Sequence, residues 1–329
     1  MKNEIRSKAE SFKAKFFGNI RRTSPLLVLR LLTAIIVLSP WLAFSLFMSW
    51  LKMNHWRKPK VCRDFVERHK LAFEGVDPAT LTVEARSGGV SNSNEIWHCR
   101  KISGEETGYF VKIFVSVGSF WAKHLSLVSP FPPIYGGRTH ERFIIDMVSR
   151  VQLAECGIPV PKLIVYDAVA KVMVTDFLRG ETVDDALKRI AGKDVVDPDD
   201  VDIIRQCGIG LAKVHRAGFS LIDTQPANCI WVKAEKKVYF TDLEFCTRQD
   251  KRVWDVGFFL CFLALRLTGS VKKLIQEIFL QNYQIERQLN LTEVAEIQHQ
   301  MREYLPIFQT VLDLRQYTPE ELLTELVSG

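Results

Sequence analysis

The stretch SLIDTQPANCIWV, residues 220–232, decides the fold of this chain. It places Asp223 five residues before Asn228, with Pro226 between them. An apolar run then leads to a second acid, Asp242, 14 residues after Asn228. Taken by itself, the stretch fits a turn with a side-chain cap followed by a hairpin acid. Its neighbours favour another interpretation, a loop that brings two acids and an amide into one site.

The segments around this stretch predict a β-rich lobe followed by a mostly helical lobe. Alternating apolar and polar residues indicate strands, and apolar residues at 3–4-residue spacing indicate helices. The predicted order is strands on both sides of SGGVSN (87–92) and in GYFVKIFV (108–115), a helix at 138–156 ending before Gly157, strands in KLIVYD (162–167) and KVMVTDFL (171–178), a helix at 200–217 ending before Gly218, and helices from about 253. We therefore predict an α+β fold with two lobes.

The composition indicates a globular protein with a basic N-terminus. The chain has 329 residues, 47% hydrophobic and 25% charged, with a net charge of +6. Before residue 64, thirteen lysines and arginines face only two acids. This asymmetry indicates an anionic membrane surface as the partner, and no nucleic acid is expected. The seven cysteines are scattered without a paired spacing, which favours a reduced, cytosolic setting.

The N-terminal residues predict membrane attachment. Residues 31–51 contain no charge in 21 positions, enough to span a hydrocarbon core of ~30 Å. Pro40 favours a kink, so a re-entrant segment with both ends in the cytosol stays open, as does a buried core helix. Residues 1–24 show the pattern of a basic amphipathic helix on anionic lipid, or alternatively a solvated charged tail.

We divide the chain accordingly. The predicted parts are a basic amphipathic segment at 1–24, a hydrophobic membrane segment at 25–51, a connector with an entry helix at 52–79, and a main domain at 80–329 whose lobes meet near 178–179. Lys112 lies inside an apolar strand of the first lobe. A buried lysine needs a partner because an unpaired buried charge is costly, unless the strand lies at an edge and the lysine faces solvent.

These residues in this order resemble the protein-kinase-like phosphotransferases. The likeness is to the aminoglycoside phosphotransferase and choline kinase, lipopolysaccharide core kinase and RIO-type branches, and it covers about residues 80–270. The motifs that carry it are SGGVSN (87–92) as a nucleotide loop, VHRAGF (214–219) as the His-x-x-Gly before the catalytic loop, DTQPAN (223–228) as its Asp-x-x-Pro-x-Asn core, TDLE (241–244) at the DFG position, and DKRVWDVGFFL (250–260) as the helix start that follows.

The resemblance implies a bilobal protein-kinase-like fold that uses ATP and Mg²⁺. Phosphoryl transfer needs positioning and charge neutralisation more than covalent work by the protein. The resemblance implies that Lys112 and the loop with Gly88, Gly89, Ser91 and Asn92 bind phosphate, and that Asp146, or alternatively Glu141, pairs with Lys112. It implies Mg²⁺ binding by Asp242 and Asn228. Asp223 would accept or orient the acceptor's proton, and Asp255 would anchor the catalytic loop.

The sequence departs from the family pattern at the supporting positions. Where relatives carry His-Arg-Asp or His-Gly-Asp, this chain has Leu221 and Ile222 before Asp223. Leucine can pack but its side chain cannot form a hydrogen bond. Glu244 is unusual at its position and is expected to add a metal or substrate contact. These departures keep a pseudokinase scaffold open.

Only about ten residues separate Asp242 from Val253, which leaves little room for a peptide platform. We therefore predict transfer of the γ-phosphate to a hydroxyl of a small-molecule, sugar or lipid-linked acceptor at the cytosolic face of the membrane. A membrane-anchored protein kinase and a nucleotide-binding pseudokinase are the alternatives.

Overall fold

A computed structural model describes residues 51–52, 54–56, 58–73, 75–85, 94–100, 106–115, 139–193 and 195–315. In this part of the chain the fold is mixed α/β, in agreement with the predicted class. The strands are β1 (Thr82–Ala85), β2 (Asn94–Arg100), β3 (Glu106–Ile113), β4 (Leu163–Asp167), β5 (Val172–Asp176), β6 (Glu181–Thr182), β7 (Cys229–Val232) and β8 (Lys237–Phe240). The helices are α1 (Pro59–Arg68), α2 (Thr139–Glu155), α3 (Val183–Ile190), α4 (Pro198–Arg216), α5 (Arg252–Arg266), α6 (Gly269–Glu286) and α7 (Leu291–Arg315).

The first lobe is built on an antiparallel sheet with the strand order β1-β2-β3-β5-β4. Strand β3 lies at its centre, so Lys112 is not an edge-strand residue. The register places Lys112 opposite Met173. Side chains alternate between the two faces of a strand, and Val111 and Ile113 therefore share the other face. Both are fully buried in an apolar core, which leaves Lys112 on the face toward α2.

Helix α1 completes the core on the face of the sheet away from Lys112. Trp56, Phe65 and Phe73 pack there with Val111 and Val174. Phe65 is fully buried and contacts Trp56 edge to face, with ring centroids 5.5 Å apart. The segment 52–79, predicted as a connector, therefore supplies part of the core of the first lobe.

The helical lobe surrounds the stretch that carries Asp223. A three-stranded antiparallel sheet, β6-β7-β8, lies beside helices α3 to α7, and one apolar core runs through them. Helices α4 and α6 pack closely at Gly208, where an added Cβ atom would lie 2.5 Å from the carbonyl oxygen of Phe279. Residues 220–228 connect the end of α4 to β7, and α5 begins shortly after Asp242.

The predicted membrane segments lie outside the described residues, apart from residue 51. Across the described ranges, we find no helix with the length and apolar character needed to cross a bilayer.

Candidate active site

Lys112 is the centre of a buried group of charges. It is 3% exposed, and its Nζ atom lies 2.8 Å from Asp146 Oδ2 and 3.1 Å from Glu244 Oε2. The same Nζ atom also donates to Asp242 Oδ1. A buried ammonium needs such partners because desolvation strongly disfavours an isolated charge. Strand β3 thus delivers a lysine that three carboxylates surround.

Helix α2 supplies the first of these carboxylates. Asp146 is fully buried and accepts from Lys112 with one oxygen and from Arg150 Nη2 with the other, at 2.7 Å. Residues four apart share a helix face, so Arg150 reaches Asp146 within the same helix. Glu141 is exposed and lies on another face of α2. Of the two predicted alternatives, the structure therefore pairs Lys112 with Asp146.

The segment after β8 supplies the other two carboxylates. Asp242 adopts a φ of 57°, a left-handed conformation that non-glycine residues seldom adopt. Glu244, two residues later, is 6% exposed, and both its carboxylate oxygens accept from Arg142 Nη2 at 2.7 Å. Arg142 and Lys112 therefore occupy the carboxylate of Glu244, for which the sequence suggested a metal or substrate contact.

The pKa values of Lys112 and Asp223 are raised, whereas the pKa of Glu244 is lowered. Burial opposes the charge on Lys112, but Asp146, Asp242 and Glu244 outweigh it and raise the pKa of this lysine above its usual range. Burial would raise the pKa of Glu244, yet Lys112 and Arg142 hold it below the usual value. Burial, followed by the charges of Asp242 and Glu244, raises the pKa of Asp223 to about 7. Asp223 therefore belongs to the same electrostatic group.

The predicted catalytic loop places Asp223 and Asn228 in contact. A short 3₁₀ turn at Pro226–Asn228 bends the chain, and Asn228 Nδ2 donates to the carbonyl oxygen of Asp223 at 3.2 Å. Gln225 Nε2 donates to Asp223 Oδ2 at 3.0 Å. The carbonyl oxygen of Asn228 accepts from the backbone nitrogen of Thr241 at 2.8 Å, which joins the loop to the residue before Asp242. The sequence spacing of 5 and 14 residues thus corresponds to one continuous site.

Asp255 at the start of α5 fixes the backbone of this loop. Its carboxylate accepts from the backbone nitrogens of Leu221 at 2.7 Å and Ile222 at 2.8 Å. Ile222 has a φ of 68°, which is strained for a β-branched residue. Trp254 Nε1 donates to the carbonyl oxygen of Ile222 at 2.8 Å, so both backbone polar groups of Ile222 are held. Backbone contacts at Leu221 and Ile222 thus provide support that their apolar side chains cannot.

His215 at the end of α4 gives Asp255 a third donor. Its Nε2 atom lies 3.0 Å from Asp255 Oδ2, and its Nδ1 atom lies 2.6 Å from the hydroxyl of Tyr283. A carboxylate accepts but does not donate, so Nε2 carries a hydrogen; in the neutral imidazole Nδ1 then accepts from the tyrosine. The histidine of the VHRAGF motif therefore connects α4 and α6 to the residue that fixes the loop.

Two side chains of the site offer oxygen donors suited to Mg²⁺. Among the residues that the structure describes, no group of three or more histidines, cysteines or acids is arranged to hold a metal ion by itself. Mg²⁺ in nucleotide sites prefers hard oxygen donors and takes one or two carboxylates, completing its shell with water and phosphate oxygens. Asp242 offers a carboxylate that is 26% exposed, and Asn228 retains its amide oxygen because the bond to Asp223 uses the nitrogen. This donor set fits Mg²⁺.

The predicted phosphate loop cannot be placed beside the other site residues. Gly88, Gly89, Ser91 and Asn92, the predicted phosphate loop, lie outside the described residues. Their role stays a prediction.

Sequence reasoning missed the two arginines of α2. Arg142 and Arg150 lie four residues before and four residues after Asp146, and this spacing on one helix face was a signal that could have revealed them. The contact between Arg142 and Glu244 joins positions 102 residues apart, and local sequence carries no signal for it.

Comparison with known proteins adds little to this geometry. No protein-family model and no curated protein matches the sequence. A solved structure, WaaP in complex with acyl carrier protein, is similar with 13% sequence identity and a TM-score of 0.42, covering 68% of this chain and 88% of that one. A similarity this low assigns neither fold nor function.

Proposed function

We propose that the chain is an ATP-dependent phosphotransferase that transfers the γ-phosphate to a hydroxyl group of a small-molecule, sugar or lipid-linked acceptor. The observation that carries this proposal is the contact of Lys112 with Asp146 and Asp242. It brings a cation of the first lobe to an acid that follows β8 of the second, 130 residues along the chain. Asp223 and Asn228 adjoin that acid, so cationic, metal-binding and proton-accepting groups converge.

Each group has a distinct task in this proposal. Lys112 binds nucleotide phosphate oxygens as a point charge, because an ammonium is a compact cation with three donors. Asp242 and Asn228 would hold Mg²⁺, which would supply positive charge to neutralise the nucleotide phosphates. Asp223 accepts or orients the proton of the acceptor hydroxyl. Asp255 acts through the backbone of residues 221 and 222 and is a positioning residue.

The short segment after Asp242 supports a small or lipid-linked acceptor. Only residues 243–251 separate Asp242 from α5, and several of them are fixed. Ser220 and Thr247 exchange backbone hydrogen bonds of 2.8 and 2.9 Å, and Lys251 donates its backbone nitrogen to Ser220 Oγ at 2.9 Å. This segment offers little length for a peptide platform, and we propose a membrane-associated acceptor on the cytosolic side.

Binding of Mg-ATP to the full chain tests the proposal. We expect calorimetry to show binding by the wild type and a loss of affinity of at least about 10-fold in Asp242→Asn, because the variant lacks a charged ligand for Mg²⁺. Asp250→Asn is the control, since Asp250 is exposed and contacts Arg252 rather than the site. Absence of binding by the wild type, or equal affinity in both variants, would contradict the proposal.

A further inference from the structure

Lys112 contacts three carboxylates, and the proposed chemistry gives a role to only two of them. Asp146 is its helix partner and Asp242 is the proposed metal ligand, which leaves Glu244. We propose that Glu244, held by Arg142, is a positioning residue that keeps Lys112 in place while Asp242 binds the Mg²⁺-nucleotide. The inference rests on the proposed function. It adds a residue that holds Lys112 when Asp242 binds the metal instead of the lysine.

The exposed fractions of the three carboxylates distinguish their roles. The side chain of Asp242 is 26% exposed, whereas those of Asp146 and Glu244 are 0% and 7% exposed. A ligand arriving from solvent can therefore reach Asp242 far more readily than the other two. When Asp242 binds a metal cation, Lys112 still contacts two buried carboxylates, Asp146 and Glu244.

Arg142 holds Glu244 and is itself held by further contacts. Its Nη2 atom donates to both carboxylate oxygens of Glu244, and its Nη1 atom donates to the carbonyl oxygen of Val115 at 2.9 Å. The guanidinium carbon lies 6.0 Å from the ring centre of Phe114 and 5.9 Å from that of Phe245. Charge-assisted contacts of this kind define the orientation of the partner. Glu244 is therefore a fixed anchor for Lys112.

The charge balance explains why Lys112 needs a second anchor. Three cations, Lys112, Arg142 and Arg150, form ion pairs with three acids, Asp146, Asp242 and Glu244. Asp146 is shared, because Arg150 occupies its second oxygen. Without the charge of Glu244, only Asp146 and Asp242 balance the lysine. The lysine would then draw on Asp242 more strongly and compete with Mg²⁺ for the same carboxylate.

The test is the dissociation constant of Mg-ATP for the full chain, measured by calorimetry. We expect Glu244→Gln to raise this constant by about 10- to 100-fold, the usual range for groups that orient a metal ligand. The Mg²⁺ concentration at half-saturation, measured at fixed ATP, should rise as well. Glu244→Asp keeps the charge and should recover part of the affinity. Arg142→Lys keeps a cation but loses the second nitrogen, which holds the side chain to Val115, and should give an intermediate loss.

Asp200→Asn is the matched control for general destabilisation. Asp200 is also a buried acid, 1% exposed, and it pairs with Arg189 between α3 and α4 rather than with Lys112. We expect this variant to lower the melting temperature and to leave the dissociation constant unchanged. If Glu244→Gln does not fold, Glu244→Asp and Arg142→Lys carry the test.

The outcomes separate the inference from the proposed function. Wild-type affinity in Glu244→Gln, with or without a lower melting temperature, would show a purely structural glutamate and overturn the inference alone. Weakened binding in Asp200→Asn to the same extent would also overturn it. If the wild type binds no Mg-ATP, the proposed function itself fails, and the inference fails with it.

Discussion

Asp255 determines the shape of the loop that presents Asp223. Its carboxylate receives hydrogen bonds from two consecutive backbone nitrogens and from His215, and it is fully buried. Hydrogen bonds to a buried charged group contribute more to stability than bonds between neutral groups. A buried donor that loses its partner costs free energy. The strained conformation of Ile222 persists because Asp255 and Trp254 hold both sides of it.

We predict that Asp255→Asn destabilises the protein by about 2–4 kcal/mol and lowers phosphate transfer strongly. The amide places an N–H group where the carboxylate accepted one, so at least one backbone donor loses its partner. Denaturant unfolding and transfer assays measure the two effects. Asp250→Asn, an exposed acid of the same region, should change neither. Wild-type stability of Asp255→Asn would refute the anchoring role.

The residue types of the site were predictable from the sequence, but their contacts were only partly so. The spacing of Asp223, Asn228 and Asp242 indicated one loop and one following acid, and the structure connects them through Thr241. The sequence left open whether Asp146 or Glu141 pairs with Lys112, because a helix prediction alone does not say which face of the helix meets the lysine. Long-range packing of α2 against β3 decides it.

Helix α1 shows where the prediction of domain bounds reached its limit. The sequence predicts a connector with an entry helix at 52–79, outside the main domain, yet Cys62, Phe65 and Val66 of this helix form one face buried in the core of the first lobe. An amphipathic helix of ten residues hides a core face inside a polar sequence when its apolar positions are few. In contrast, the helix predicted at 138–156 and the strands of KLIVYD and KVMVTDFL are confirmed, because long periodic patterns and glycine or proline ends determine them locally.

We predict that Phe65→Ala lowers the free energy of unfolding by about 3–5 kcal/mol, the usual cost of emptying a buried aromatic site. The loss should disrupt the sheet that holds Lys112, because Phe65 belongs to the core that also contains Val111 and Ile113. Leu71→Ala is the control, since Leu71 is 89% exposed. Chemical denaturation measures both, and equal stability of the two variants would exclude α1 from the core.

At the scale of the whole molecule, buried ion pairs join the two lobes. Lys112 and Arg142 of the first lobe contact Asp242 and Glu244, which follow the second sheet. The two-lobe order followed from the sequence because strands and helices are segregated along the chain. The junction did not, because it depends on pairs more than 100 residues apart.

Membrane association is a prediction for the whole chain that its basic and uncharged N-terminal residues suggest. We predict that deletion of residues 1–50 moves the protein from the membrane pellet to the supernatant, because it removes the basic segment and almost all of the uncharged one. The truncation has to stop before Lys52, whose Nζ atom donates to the carbonyl oxygen of Phe114 at 2.7 Å. Fractionation of cells expressing either form measures this, and retention of the shortened chain in the pellet would contradict an N-terminal anchor.

The most direct test of the central claim is transfer of labelled γ-phosphate. The full chain is incubated with Mg²⁺, γ-labelled ATP and a total extract of membrane lipids and glycolipids, and the products are analysed by mass spectrometry for a phosphate-sized increase. We predict a labelled product with the wild type and at least about 100-fold less with Asp223→Asn, consistent with loss of a group that accepts the acceptor's proton. Equal labelling by the wild type and Asp223→Asn would contradict the assignment of this site.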